Sequence, residues 1–510
     1  MTSALDPASL PLPERLARAL ALYRRGKLLR AQALCEEIID INPRAFDAMH
    51  LLGVIALQTG NLAKAVALLG TAVDINPDCA EAHCSRGVAL QRLKRWDEAL
   101  ASYDQAIALR PDYAKAYNNR GLVLHAMKRW DAALESYQRA VSIDSNCAGA
   151  YANRAALLHE LNRLDEALSD HNRALEITPD FAGARQNRAY TLLLQGDLEK
   201  GWIDHEWRWQ NDEAGGLRER RHFKQPLWLG GEPIAGRTIL LHSEQGLGDT
   251  LQFCRYAKLV ADLGARVILE VPSPLKTLLA SLEGAAQVVA TDEALPAFDC
   301  YCPLMSLPLA FKTTLANIPA RIPYLRSRVD KVLHWRARLG KKTKLRVGLV
   351  WSGGFRPHQP ELWAVNERRN IPLAQLAALN DPNVEFYSLQ KGEPAQSEAA
   401  ELRSKHWNGP ALIDHTNQLL DFSDTAALIE NLDLVISVDT ATAHLAGALG
   451  KPVWILNRFD SCWRWLLDRS DSPWYPTVRL YRQEQPGDWD GVVQRVRNDL
   501  TALVGAFEHP

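Results

Sequence analysis

Two hydrophobic rhythms divide this chain. Over the first two-fifths, apolar residues recur at helical spacing inside a longer period of 34 residues. Pro43, Pro77, Pro111 and Pro179 share that register, and Ser145 fills the remaining slot. The register gives repeats at 12–45, 46–79, 80–113, 114–147 and 148–181, with a degenerate sixth to about 215. Each first helix carries a small residue: Ala19, Gly53, Gly87, Gly121, Ala155 or Ala189. The second helices of the first five carry Ala31, Ala65, Ala99, Ala133 and Ala167, with large residues such as Tyr103 and Tyr137 between. Small residues let helices cross closely, large ones fill the groove, and proline ends the second helix.

From about residue 236 the rhythm changes. Short, β-branched apolar runs alternate with helical patterns: RTILLHS, ARVILEV and QVVA, then LRVGLVWSG, VEFYSLQKG, LVISVD, KPVWILN and TVRLYRQ. PLAQLAAL, QSEAAELRSKH, DTAALIENLD, TATAHLAGALG and DWDGVVQRVRNDLTALVG read as helices between and after them. Strands this apolar are buried on both faces, as in parallel sheets. The segment 298–325 follows neither rhythm, and 329–340 reads as a connecting helix. The expected domains are 1–11 as a disordered N-terminus, 12–215 as repeats, 216–235 as a linker, and two doubly wound units at 236–340 and 341–510.

The repeat part resembles a tetratricopeptide array, because period, small residues and proline agree over five copies. Such arrays stack into a superhelix with a concave face lined by first helices. Asn118, Asn119, Asn153 and Asn187 lie on those helices beside Arg120, Arg154 and Arg188. Asparagine amides carry both donor and acceptor, so they can clamp the backbone of an extended peptide or protein partner; solvation or capping of neighbouring helices is the other reading. Trp202, Trp207 and Trp209, in GWIDHEWRWQ, read as a seal against the next domain.

Composition narrows the class. The 510 residues are 47% hydrophobic and 23% charged, with a formal net charge of −1. That balance argues against a generic nucleic-acid binder. The eight cysteines are scattered, and Cys300 and Cys302 stand too close together for a zinc knuckle. They read as reduced core residues of a cytoplasmic protein. No signal peptide and no run long enough to span a membrane are evident.

Two motifs carry the chemistry. GLGDTLQ at 246–252 follows a strand and opens a helix, while SVDTATAHLAGALGKP at 437–452 does the same further on. Tandem doubly wound domains with these motifs resemble a GT-B glycosyltransferase, and more narrowly the heptosyltransferase-like glycosyltransferase family 9, over roughly 236–505. The family commonly has glycine after the second motif's DT pair, whereas this chain has Ala441, so heptose itself is not implied. A repeat array ahead of a GT-B fold also resembles the architecture of protein O-GlcNAc transferases.

The resemblance makes Asp249 a general base for an acceptor hydroxyl, presented by the Gly246–Gly248 turn; a helix cap is the competing role. A third glycine is missing, so the loop is a weak match to a dinucleotide fingerprint. The helix opening at Thr440 suits a donor pyrophosphate, with Asp439 on a sugar hydroxyl and His444 one turn on, either near phosphate or in the core. Ser352, Gly353, Gln390 and Lys391 lie at further strand ends, with Arg368 and Arg369 nearby. Trp463 and Arg464 form part of an aromatic run that either contacts donor or fills the hinge. The implied activity is metal-independent, inverting transfer of a sugar from a nucleotide-sugar donor, without cofactor, to a hydroxyl on a protein held by the array. Two alternatives remain: a scaffold with a degenerate transferase module, and a transferase acting on a lipid or polysaccharide.

Overall fold

The computed structural model describes residues 11–211, 221–354, 363–404 and 408–508. Residues 1–10 of the expected disordered N-terminus and 216–220 of the expected linker lie outside them. The chain divides into one compact unit ending at Phe181 and another beginning at Ala182.

The first unit holds five helical hairpins. They are α1 (Leu12–Arg24) with α2 (Leu28–Ile41), α3 (Phe46–Gln58) with α4 (Leu62–Ile75), α5 (Ala80–Arg92) with α6 (Trp96–Leu109), α7 (Ala114–Ala126) with α8 (Trp130–Ile143), and α9 (Ala148–Glu160) with α10 (Leu164–Ile177). The 34-residue step repeats without slippage. The small-residue rule has a geometric cause. A Cβ on Gly87 would lie 2.6 Å from the Tyr103 ring, and one on Gly121 would lie 2.5 Å from Tyr137. Both tyrosines are fully buried, so each ring occupies the space that its glycine leaves open.

The second unit opens with a sixth hairpin, α11 (Ala182–Gln195) and α12 (Leu198–His205), followed by a 3-10 turn at Glu206–Gln210. Two parallel sheets follow. The first has β1 (Thr238–His242), β2 (Arg266–Val271), β3 (Ala285–Ala290) and β4 (Cys300–Pro303), in spatial order β3-β2-β1-β4. Its helices include α13 (Leu247–Phe253), α14 (Tyr256–Asp262) and α15 (Ser273–Leu279). The strand β4 is the element that the unreadable 298–325 segment supplies: CYCP is too short to show a period, yet it pairs with β1.

After α16 (Val329–Leu339) comes a six-stranded sheet ordered β10-β9-β8-β5-β6-β7. Its strands are β5 (Leu345–Val350), β6 (Val384–Ser388), β7 (Leu412–Asp414), β8 (Leu434–Val438), β9 (Val453–Asn457) and β10 (Val478–Arg482). The helices are α17 (Trp363–Arg369), α18 (Ala395–Ser404), α19 (Phe422–Glu430), α20 (Ala441–Ala448) and α21 (Trp489–Glu508). PLAQLAAL is a 3-10 helix at Leu373–Leu379 rather than an α-helix. Val347, Leu349, Phe386, Ile436 and Val438 form the core of this sheet with Val492 and Val496 of α21. The fold is therefore a tetratricopeptide superhelix followed by an α/β region with two parallel sheets, as in the GT-B fold.

Strand order locates the crevice. In the second sheet the chain runs outward from β5 to β7, then returns to place β8 on the other side of β5. Ligands of such sheets bind beyond the strand ends at that reversal. The turns there begin at Trp351 and Asp439. In the first sheet, the reversal lies between β1 and β4, where HSEQGLGD leaves β1. Among the described residues, no helix is long and apolar enough to cross a membrane.

Candidate active site

The two motifs face each other. A Cβ on Gly248 would lie 3.0 Å from His444 Cδ2 and 3.5 Å from Ala441 Cα. A side chain at 248 would press on the His444 ring and the start of α20, so glycine eases this approach. Gly246 caps α13, and Asp249 is the third residue of that helix rather than its cap. Its Oδ2 accepts from the Gly246 backbone N–H at 2.9 Å. Its Oδ1 accepts from Arg464, which arrives from the second α/β domain.

Arg464 also donates from Nε to Gln252 Oε1 at 2.8 Å, and its guanidinium lies 4.2 Å from the centre of the Trp463 ring. Of the two roles expected for Trp463, its surroundings favour filling the hinge. The ring is buried against Trp202, at 5.2 Å edge to face, and against Phe253 and Trp474. Its faces and edges are committed to joining α12, α13 and the post-β9 segment.

At the second motif, Thr440 caps α20 through a 3.4 Å bond from the Ala443 N–H and shares a 2.9 Å bond with Ser437. Asp439 is partly exposed at the end of β8. His444 is buried, with Nδ1 2.9 Å from the Tyr475 hydroxyl, its ring stacked on Trp465, and Nε2 3.7 Å from Asp439. Burial pulls its pKa down to about 4, against the opposing pull of Asp439. The imidazole is thus neutral near pH 7 and is a core group with one edge toward Asp439.

The turn after β5 is already well bonded. Gln390 Oε1 accepts from the Trp351 and Ser352 N–H groups at 3.2 and 2.9 Å, and Asn370 Oδ1 takes the Gly353 N–H at 2.7 Å. The N–H groups of 352 and 353 are thus taken up in fixing the turn. A Cβ on Gly353 would collide with the Arg369 guanidinium, so this glycine makes room for that cation. Arg368 pairs with Asp460 at 3.0 Å. Lys391 is exposed and donates to the Leu419 carbonyl.

A separate cleft lies away from the motifs. About 600 Å³ opens beside β10, lined by Arg469, Arg479, Arg482 and Arg495. Three of these arginines pair with Asp471, Asp499 and Glu484, and Arg482 donates to the Trp465 and Arg469 carbonyls. Three of its four arginines are thus ion-paired, and strand topology points instead to the facing motifs.

Several residues at the site were missed in the sequence. Glu244, inside HSEQGLGD, receives a bidentate ion pair from Arg208, with 2.8 Å bonds to both oxygens. Arg208 also reaches Glu206 and Ser306 at 2.7 Å each, and Glu244 accepts from the Met305 N–H. Burial pushes the Glu244 pKa up, against the pull of Arg208. Trp202 donates to the Thr313 carbonyl at 3.2 Å, as the expected seal requires. Trp207 and Trp209 instead stack on Arg185 and Arg208 at 4.3 and 4.5 Å. Arg255 lies between the Tyr324 and Tyr475 rings at 4.4 and 4.5 Å and donates to the Trp474 and Pro319 carbonyls. Only Arg255, inside LQFCRYAKLV, stands among apolar residues that could have signalled its burial. The expected linker is also corrected at its described end, because Leu227 bridges to Tyr301 and Trp228 is buried.

In the array, Asn153 Nδ2 donates to Asn118 Oδ1 at 3.0 Å, and Asn118 contacts Asn119 at 3.5 Å. These amides form a partly exposed ladder across successive repeats. Asn187 is exposed on α11. The neighbouring arginines pair within the scaffold, Arg120 with Asp104 and Arg154 with Asp170.

Comparison with known proteins agrees with both halves. Tetratricopeptide repeat models match residues 22–86, 78–146 and 112–180. The model of glycosyltransferase family 9 (heptosyltransferase) matches residues 415–456, which contain the second motif. Protein FlbA of Caulobacter vibrioides is 29% identical over 332 residues, covering 60% of this chain. The match spans 53% of that relative, about half its length. Among solved structures, the tetratricopeptide protein TTC0263 of Thermus thermophilus is 26% identical, covering 36% of this chain and all of its own, with a TM-score of 0.32. MamA is likewise 26% identical, covering 32% of this chain and 96% of its own, with a TM-score of 0.30. The chain thus combines a tetratricopeptide superhelix, similar to the repeat models over residues 22–180, with an α/β region that is similar to glycosyltransferase family 9 over residues 415–456.

Proposed function

We propose that this chain is an inverting, metal-independent glycosyltransferase that uses a nucleotide-sugar donor and a hydroxyl acceptor on a protein held by the repeats. The carrying observation is the apposition of Gly248 to Ala441 and His444, which brings the Asp249 loop of one α/β domain against the start of α20 in the other. In this reading Asp249 takes the acceptor proton while the acceptor oxygen attacks the anomeric carbon. The bond to the diphosphate breaks, and its electron pair leaves with the nucleotide. The α20 N-terminus, Arg369 and Lys391 stabilise that charge. Asp439 orients a sugar hydroxyl. The partly exposed asparagine ladder supports protein capture by the array, and a cytoplasmic site of action fits this use of a nucleotide sugar.

One observation favours the scaffold alternative: Gln390 and Asn370 already occupy the N–H groups of the turn after β5. Calorimetric titration with UDP, GDP, ADP, CMP and dTDP, beside Lys391→Ala, separates the two readings. Tight binding of one nucleotide, weakened by the substitution, supports the transferase. A folded protein that binds none of them is a scaffold.

A further inference from the structure

Arg464 is held at the meeting of the two motifs by bonds that a ligand can redistribute. Its side chain is only about one-tenth exposed, and it pairs with Asp249 across the two α/β domains. Asp249 keeps a second bond, from the Gly246 N–H, so it is not stranded if Arg464 leaves. Gln252 is fully buried and holds Arg464 through Oε1, while its Nε2 finds no acceptor among the described residues. That spare donor sits beside the guanidinium and suits an incoming anion. The residue preceding Asp249 lies against Ala441, so the pair is close to the opening of α20.

We propose that Arg464 is a two-position switch, paired with Asp249 when the donor site is empty and drawn onto the donor diphosphate when nucleotide sugar binds. This rests on the donor-site reading above. A diphosphate presents more charge and more acceptor oxygens to a guanidinium than a single carboxylate does. Once Arg464 moves, Asp249 Oδ1 is released from its guanidinium and is free to accept from the incoming hydroxyl. The same movement places positive charge on the leaving group. Donor binding thereby arms the base, and donor precedes acceptor.

The test is a binding cycle on the full chain, using whichever nucleoside diphosphate of the panel binds. The switch makes Asp249 a competitor for Arg464. Asp249→Asn is therefore expected to tighten binding about tenfold, and Arg464→Met to weaken it about tenfold. In the Arg464→Met background, Asp249→Asn is expected to give no tightening. Equal tightening in both backgrounds means that the carboxylate acts through its field alone and overturns the switch. Unchanged binding by Asp249→Asn also overturns it. A wild-type chain that binds no nucleotide defeats the donor-site reading itself. Arg464→Gln carries the same prediction if Arg464→Met fails to give a native melting transition.

Discussion

Arg208 and Glu244 form a bidentate ion pair with side chains only 4% and 5% exposed, joining the turn after the sixth hairpin to the loop that presents Asp249. Removing one partner leaves an uncompensated buried charge, which typically costs about 3–5 kcal/mol. Arg208→Met is expected to destabilise the second unit by about that amount in urea unfolding. It is also expected to speed amide exchange selectively at 243–250. Unaltered exchange there removes the loop-holding role.

The glycine–tyrosine fit in the repeats makes a second prediction. Gly121→Ala forces a methyl group against the Tyr137 ring, and overpacking of this kind costs about 1–3 kcal/mol. Adding Tyr137→Leu is expected to recover part of that loss, because the ring is the obstacle. Absence of recovery in the double variant places the cost in the α7 backbone.

Gly353→Ala meets the far end of a side chain rather than backbone. The melting temperature is expected to change by no more than about 2 °C, as for substitutions that disturb no core. Arg369 must move, so affinity for the bound nucleoside diphosphate is expected to fall about tenfold, roughly the worth of one charge-assisted hydrogen bond. Undiminished affinity takes Arg369 out of the donor site.

Buried His444 predicts an acid limit. Its folded pKa of about 4 lies below its unfolded value near 6.5, so the unfolded chain binds more protons between these pH values. Stability from this group is complete above pH 6.5 and is lost as pH falls toward 4, by about 3 kcal/mol in all. His242, whose pKa burial also lowers to about 4, adds a loss of the same sign. Chemical denaturation at pH 4.5 and 7 is expected to show a smaller difference in His444→Asn than in wild type. An equal difference assigns the acid sensitivity to other groups.

The repeats were legible because one steric rule recurs at a fixed interval, and Gly87 with Tyr103 shows it in a single contact. Most of the parallel strands were legible because burial on both faces makes them apolar throughout. The strand β4 was not, since four residues carry no period and its place depends on pairing with β1. At the candidate site, the motifs drew attention to Asp249 and Thr440, while the contacts of Arg208, Gln252 and Arg255 were not foreseen. Those residues act through partners 36 to 219 positions away, and a charge that will be buried looks the same in sequence as one that stays in water. The role of Trp463 stayed open between donor and hinge for the matching reason, because alternation of indoles does not say which face meets protein.

The compact-unit boundary falls at Ala182, one hairpin before the repeat register ends. By sequence period that hairpin continues its predecessors; by contact it belongs to the α/β region, through Trp202 on Phe253 and Arg208 on Glu244. The chain therefore has two different seams, one set by the sequence period and one by packing. Exchanging repeat arrays between such proteins should respect the second. A graft made at residue 181 carries the sixth hairpin along with the α/β region as its own first element, whereas a graft made near 215 separates Arg208 from Glu244 and gives the Asp249 loop a stranger for a neighbour.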